Sequence, residues 1–327
     1  MAEYGLLILI ILGLNLYLTL GGADFGAGIW EFNSALQSSD EEQDFIYKAI
    51  GPVWETNHVW LIFVIVILFS IFPLAFAILC KALWPLLLLA LAGIVFRGAG
   101  YVYRSYAVGL EGHKRVWEMV FSLGSTITPL CFGMSFGAIA SGQLLDPTAR
   151  ISPWLSPLSI FCGFFFVAMC AFLSAVYLTR EAHNQKLDQQ IKIWKKRALG
   201  IGLWMGFLSL AGIGVVATDA PALWDRFIHS SWLLPFISAA AGISALFSLW
   251  KNFFNSAVFL SVLAISSIIW GWALAQFPYL VLPDVSYTDY LAPKEVLNPI
   301  FYAMIFGFVL LVPALFFLFY IFKKSER

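Results

Sequence analysis

The chain has 327 residues, of which 61% are hydrophobic, 17% aromatic and only 12% charged. Soluble domains carry roughly 25% charged residues, so the composition excludes a soluble globular protein and points to one that lies largely in lipid. A formal net charge of zero offers no electrostatic case for a nucleic-acid partner, and only the distribution of charge is informative.

Nine apolar segments succeed one another, each close to the ~20 residues a spanning helix needs. They are Tyr4–Ala23, Val59–Ile78, Ala82–Tyr103, Met119–Ala140, Pro157–Thr179, Ala198–Thr218, Ser231–Trp250, Asn252–Gln276 and Val296–Phe322. The bilayer core offers no water to backbone amides, so each segment is predicted to be a helix. The expected fold class is an all-α polytopic membrane protein without a soluble domain. The opening M-A-E-Y lacks a basic n-region, which predicts that the first segment stays as a membrane helix. Connections are short except Glu31–Pro52, Arg180–Arg197 and Phe277–Glu295. Cys80, Cys131, Cys162 and Cys170 lie in or beside apolar runs without a C-x-x-C pair, and read as small buried hydrophobes.

Lys and Arg divide unevenly between the two sides. Lys81, Arg150, Arg226 and Lys294 stand on the side of the N-terminus, four against fourteen on the other, with Arg97 left inside a helix. By the positive-inside rule the N-terminus is outside and the C-terminus cytoplasmic. The run K-I-W-K-K-R (Lys192 to Arg197) reads as a cytoplasmic anchor, with a lipid-headgroup site as the sharper alternative.

The second segment is preceded by Gly51-Pro52 and then by Trp54, Glu55, Asn57, His58 and Trp60, ionisable and aromatic groups gathered where the chain enters lipid. Asp24 lies about 30 Å along the first helix, near the same boundary. Arg97 lies about 22 Å into the third and can reach that layer by snorkelling. Asp24, Glu55, His58 and Arg97 are therefore expected to form one polar cluster open to the cytoplasm. A carboxylate in lipid costs several kcal/mol unless paired or protonated, so Asp24 is either a proton relay or the salt-bridge partner of Arg97. Glu55 and His58 form E-x-x-H, but a di-iron site needs a second such motif and further acids, so no metal is expected. A proton-handling pair fits better. His113, His183 and His229 fall in loops or at segment ends, which argues against a haem held by this chain alone.

Gly22 and Gly26 in G-G-A-D-F-G-A-G, and the small residues of the fourth segment from Gly124 to Gly137, read as close helix packing. Asp219, Asp225, Asp284 and Asp289 read as solvated residues of outer loops. Phosphate loops, nucleophile elbows and zinc spacings are absent.

Three stretches together resemble subunit II of cytochrome bd-type quinol oxidases, including the cyanide-insensitive oxidase subunit. They are G-G-A-D-F-G-A-G-I-W-E-F, G-P-V-W-E-T-N-H-V-W-L-I and F-R-G-A-G-Y-V-Y-R-S. The resemblance implies two four-helix bundles plus one peripheral helix, which places the bundles at 1–141 and 157–276 and the last helix at 296–323. It implies a heterodimer with a haem-bearing subunit I that holds two b-type haems and haem d, in some members with a small single-helix accessory subunit. The complex oxidises quinol and reduces dioxygen to water in the bacterial inner membrane, among membrane lipids, drawing protons from the cytoplasm. Glu55 stands where members carry an acid proposed for proton uptake, and Asp24 matches a second. Leu20 replaces a further acid found in some relatives, and His58 has no acid-type match. Trp60 resembles a tryptophan near a suggested oxygen entrance. A structural quinone, present in some members, would have its candidate contacts at Trp54 and Arg97. A secondary transporter and a purely structural scaffold for the haem subunit are the alternatives.

Overall fold

The computed structural model describes residues 2–37, 40–50, 54–106, 111–146 and 152–325. Among them, eight helices are long and apolar enough to cross a membrane, and a shorter apolar helix, Thr56–Ile71, stands beside them. The fold is all-α apart from one small hairpin.

Chain order explains the layout. Helix α1 (Ala2–Leu16) passes through a π-helical turn, Tyr17–Gly21, straight into α2 (Gly22–Gln37). The first span is thus predicted too short, because the small and apolar residues after Asp24 continue the helix. Asp24 sits inside it, seven residues before the span ends at Glu31. A short helix, α3 (Asp40–Ile50), occupies half of what the sequence suggested was a connection, and α4 (Trp54–Ile71) and α5 (Pro73–Tyr106) come next.

The α4–α5 boundary falls at Phe72, not after Ile78 as expected from hydropathy. Pro73 lacks an N–H and its ring crowds the preceding turn, so it ends one helix and suits the first turn of the next. Lys81, expected in a loop, therefore lies on α5. Beyond it come α6 (Glu111–Ala140), α7 (Pro157–Asn184) and α8 (Asp188–Asp219). The expected Arg180–Arg197 connection is mostly helix on both sides of a tight turn, where Lys186 adopts a positive φ of 57°. The chain continues through α9 (Pro221–Ser230), α10 (Leu233–Trp250), α11 (Phe254–Gln276) and α12 (Lys294–Ser325).

Successive long helices run antiparallel, so one end of the molecule collects the Lys- and Arg-rich turns. The opposite end is closed by the strands Tyr279–Val281 and Val285–Ser286, which pair antiparallel. Val281 and Val285 are fully buried there, and the Tyr287 hydroxyl donates to that of Tyr4 at 3.2 Å.

Helix α2 packs between α6 and α7. One apolar core joins Phe25 of α2 and Trp60 of α4 to Phe172 of α7, Trp194 of α8 and Ile265 of α11. Glycines permit the closest approaches. A Cβ on Gly26 would stand 1.9 Å from the Cys170 carbonyl oxygen, and one on Gly28 2.1 Å from Ser125 Oγ. The expected small-residue packing is therefore present, with Gly22 and Gly26 facing α7 and Gly28 facing α6.

Candidate functional site

The π-helical turn comes first. It inserts one residue into the helix, which rotates the residues beyond it by roughly 100° relative to an unbroken α-helix. The Thr19 hydroxyl donates to the Asn15 carbonyl at 2.7 Å, giving that backbone group a partner. Tyr17, only 4% exposed, points from this turn towards α4, where its hydroxyl lies 3.5 Å from His58 Nδ1. That distance is the outer edge of hydrogen-bond range. The Phe25 ring completes the enclosure, 5.8 Å from the His58 ring and 6.4 Å from Tyr17 between centroids. Among the described residues, His58 Nε2 is buried without a partner.

Asp24 stands on the next turn of the same helix. It is half-buried, and its Oδ2 accepts a hydrogen bond from Asn57 Nδ2 on α4. Asn57, 5% exposed, thus ties the carboxylate of one helix to the helix that carries His58.

Arg97 supplies the positive charge. It is 1% exposed, enclosed by the protein. Its Nε donates to Ser125 Oγ on α6 at 3.2 Å, and that hydroxyl donates to the Phe121 carbonyl at 2.7 Å. The guanidinium lies 4.9 Å from the Phe25 ring and 5.3 Å from that of Phe121. It lies within coulombic range of the Asp24 carboxylate. A guanidinium between two aromatic faces, bonded at its edge and balanced by an acid, is how a membrane interior tolerates a cation.

The structure therefore brings Asp24, His58 and Arg97 together from three helices. The side chains of Trp54 and Glu55 lie outside the described residues; their backbone opens α4. Trp60 is buried at 3% exposure, with its ring 5.7 Å from Phe308 of α12 and, among the described residues, no partner for its Nε1. Tyr17, Asn57 and Ser125 are neighbours of this cluster to which sequence reasoning assigned no role there. A tyrosine in the middle of an apolar run was the available signal for the first. Asn57 and Ser125 lie in stretches noted for other reasons. Two more acids, Glu31 and Glu118, are buried at 1% and 5% exposure, and both take part in interactions.

An apolar crevice adjoins the cluster, bounded by Tyr17, Phe25, Phe132, Phe166 and Cys170. Chemically the site offers a carboxylate, a phenol and an imidazole as exchangeable proton sites in a medium that excludes water, beside a fixed cation. The side chain of His113 lies outside the described residues, and the other three histidines have the following neighbours. The His58 ring is enclosed by Tyr17 and Phe25, His183 lies on Phe254, and His229 faces the Asp225 carbonyl.

Comparison with known proteins gives consistent results. The fold matches that of a chain in the structure of bd oxidase from Geobacillus thermodenitrificans with a TM-score of 0.79, covering 98% of both chains at 20% identity. The chain is 23% identical to the probable cytochrome oxidase subunit 2 of Haemophilus influenzae, over 81% of its own length and 78% of that protein's. It is 28% identical to the cytochrome bd-I ubiquinol oxidase subunit 2 of Escherichia coli strain K12, over 48% of this chain and 43% of that one. The family model described as cytochrome bd terminal oxidase subunit II matches residues 2–322, and the chain belongs to that family.

Proposed function

We propose that this chain is the haem-free subunit of a quinol-oxidising, dioxygen-reducing complex in a bacterial cytoplasmic membrane, paired with a haem-bearing subunit I. Its N-terminus faces outwards and its C-terminus the cytoplasm, because the Lys- and Arg-rich turns collect at the C-terminal end of the bundle. Asp24, Glu55 and His58 carry protons from the cytoplasm towards the partner's haems. The reduction of dioxygen consumes protons as well as electrons, and hydrophobic helices alone cannot deliver them. Haem chemistry belongs to the partner; this chain's own work is to hold and pass protons.

The observation that carries this reading is the Asp24 carboxylate, held inside the bundle by Asn57 under the charge of Arg97. A group confined to a structural salt bridge needs no neighbouring imidazole and phenol; a relay does. The test is quinol-dependent oxygen consumption, measured per haem in the assembled complex. Glu55→Gln and Asp24→Asn are expected to slow turnover by about 10²-fold or more, the usual size of a lost proton-transfer group, whereas Glu55→Asp is mild. Wild-type turnover in both amide variants would leave only the scaffold role.

A further inference from the structure

The Lys- and Arg-rich end holds a largely buried ion pair, separate from the Asp24 cluster. Arg197 of α8 meets Glu42 of α3 through Nη1 to Oε1 and through Nη2 to Oε2 at 3.3 Å. The two side chains are 15% and 7% exposed. The guanidinium also lies 4.7 Å from the Trp194 ring and 5.3 Å from the Trp30 ring. Both rings are fixed in turn. Trp194, fully buried, donates to Gln190 Oε1 at 3.1 Å, and Trp30 donates to the Ala171 carbonyl of α7 at 2.8 Å. Helices α2, α3, α7 and α8 thus converge on one guanidinium. A buried ion pair contributes little net stability after desolvation; its best-attested use is to specify geometry.

Helix α3 is the element so specified. It sends Phe45 and Ile46 into the core at 6% and 0% exposure. Tyr47 stacks on Tyr101 of α5, with centroids 4.8 Å apart and planes at 17°. Tyr101 is one helical turn beyond Arg97, and its ring is 6.1 Å from Phe121, the same ring that the Arg97 guanidinium faces. After Ile50 the chain reaches Trp54, the first residue of α4. The four steps of chain between those two residues span at most about 14 Å.

We propose that Arg197 is a positioning residue for proton entry. Through Glu42 it clamps α3 across the Lys- and Arg-rich end of the bundle. Helix α3 then sets both the start of α4, which carries Glu55, Asn57 and His58, and the aromatic stack behind Arg97. The second half of the chain thereby governs the proton entrance built by the first. This deepens the proton-delivery function proposed above and rests on it.

The test uses the assembled complex in membranes, with activity expressed per haem. Arg197→Gln is expected to lower kcat for quinol-dependent oxygen consumption about tenfold at unchanged quinol KM, and to speed amide exchange across residues 42–50 by a similar factor. Arg197→Lys, which keeps the charge but loses the stacking, is expected to fall between. Lys192→Gln, an exposed change on the same helix, leaves both readouts at wild type. Should Arg197→Gln fail to assemble, Glu42→Gln removes the charge at nearly constant shape and is expected to give the same two changes. Normal kcat or unchanged α3 exchange in the assembled variant overturns the clamp. Asp24→Asn and Glu55→Gln separate the two ideas: if both are fully active, proton delivery itself fails, and if they are slow while Arg197→Gln is normal, only the clamp fails.

Discussion

At Arg97 two demands compete: a cation must be kept inside lipid, and it must stay where a carboxylate can use it. The fold meets both with geometry that only a planar guanidinium fits, stacked between Phe25 and Phe121 and bonded at its edge to Ser125. Lysine offers a compact ammonium that cannot stack in this way. Arg97→Lys is therefore expected to lower the thermal stability of the assembled complex by about 1–2 kcal/mol, with slower turnover at a normal quinol KM. Asn57 is the second residue of this kind, since it carries no proton itself but holds the Asp24 oxygen. Asn57→Ala, which removes the amide without adding bulk, strips the carboxylate of that donor. Turnover per haem is expected to fall about tenfold, the equivalent of one lost hydrogen bond to a charged group.

Between elements, spacing between helix axes decides the outcome. Helices α2 and α7 approach so closely at Gly26 that a methyl group would overlap the backbone of Cys170. Gly26→Ala is expected to cost about 1–3 kcal/mol and to reduce the yield of haem-containing complex. Gly206 on α8 has, among the described residues, no atom within 4 Å of an added Cβ. Gly206→Ala is expected to be neutral or stabilising by up to about 1 kcal/mol, because a helix interior favours Ala. The glycine-rich motif and the extended α8 thus contain chemically identical residues with opposite tolerance. Asp219 shows a related effect. It reads as a solvated loop acid in the sequence, yet its Oδ2 accepts from the Leu158 N–H at 2.9 Å at the start of α7. That bond meets one of the unpaired donors of a helix N-terminus.

Over the whole molecule, alternation of the helices makes the charge asymmetry a prediction of topology. Lys192 and Asp289 are both exposed, on opposite ends of the bundle. In intact cells, a cysteine placed at 289 is expected to react with a membrane-impermeant maleimide, whereas one placed at 192 reacts only after the membrane is opened. The native cysteines are buried or half-buried and give a low background. The reverse pattern of labelling would invert the proposed orientation and move the Asp24 cluster to the wrong side for cytoplasmic proton uptake.

Much of this was legible in one dimension. Hydrophobicity at about 20-residue length is a local property, so the spans, the all-α class and the charge asymmetry could be read directly from the residues. The motifs around Asp24, Glu55 and Arg97 identified the helices that build the site, because an ionisable group in lipid is rare enough to stand out. Helix ends were less legible. Pro73 outweighed an unbroken apolar run, and α3 is too short and too polar to register as a span. Tyr17, Asn57 and Ser125 became partners of the cluster only through the π-helical turn, which packs on α4, and the close contact of α5 with α6. Those depend on where distant backbones pack, and no local pattern encodes that. The pairing of Glu42 with Arg197, 155 positions apart, is of the same kind: each residue alone reads as an ordinary charged surface group, and only the folded chain brings them together.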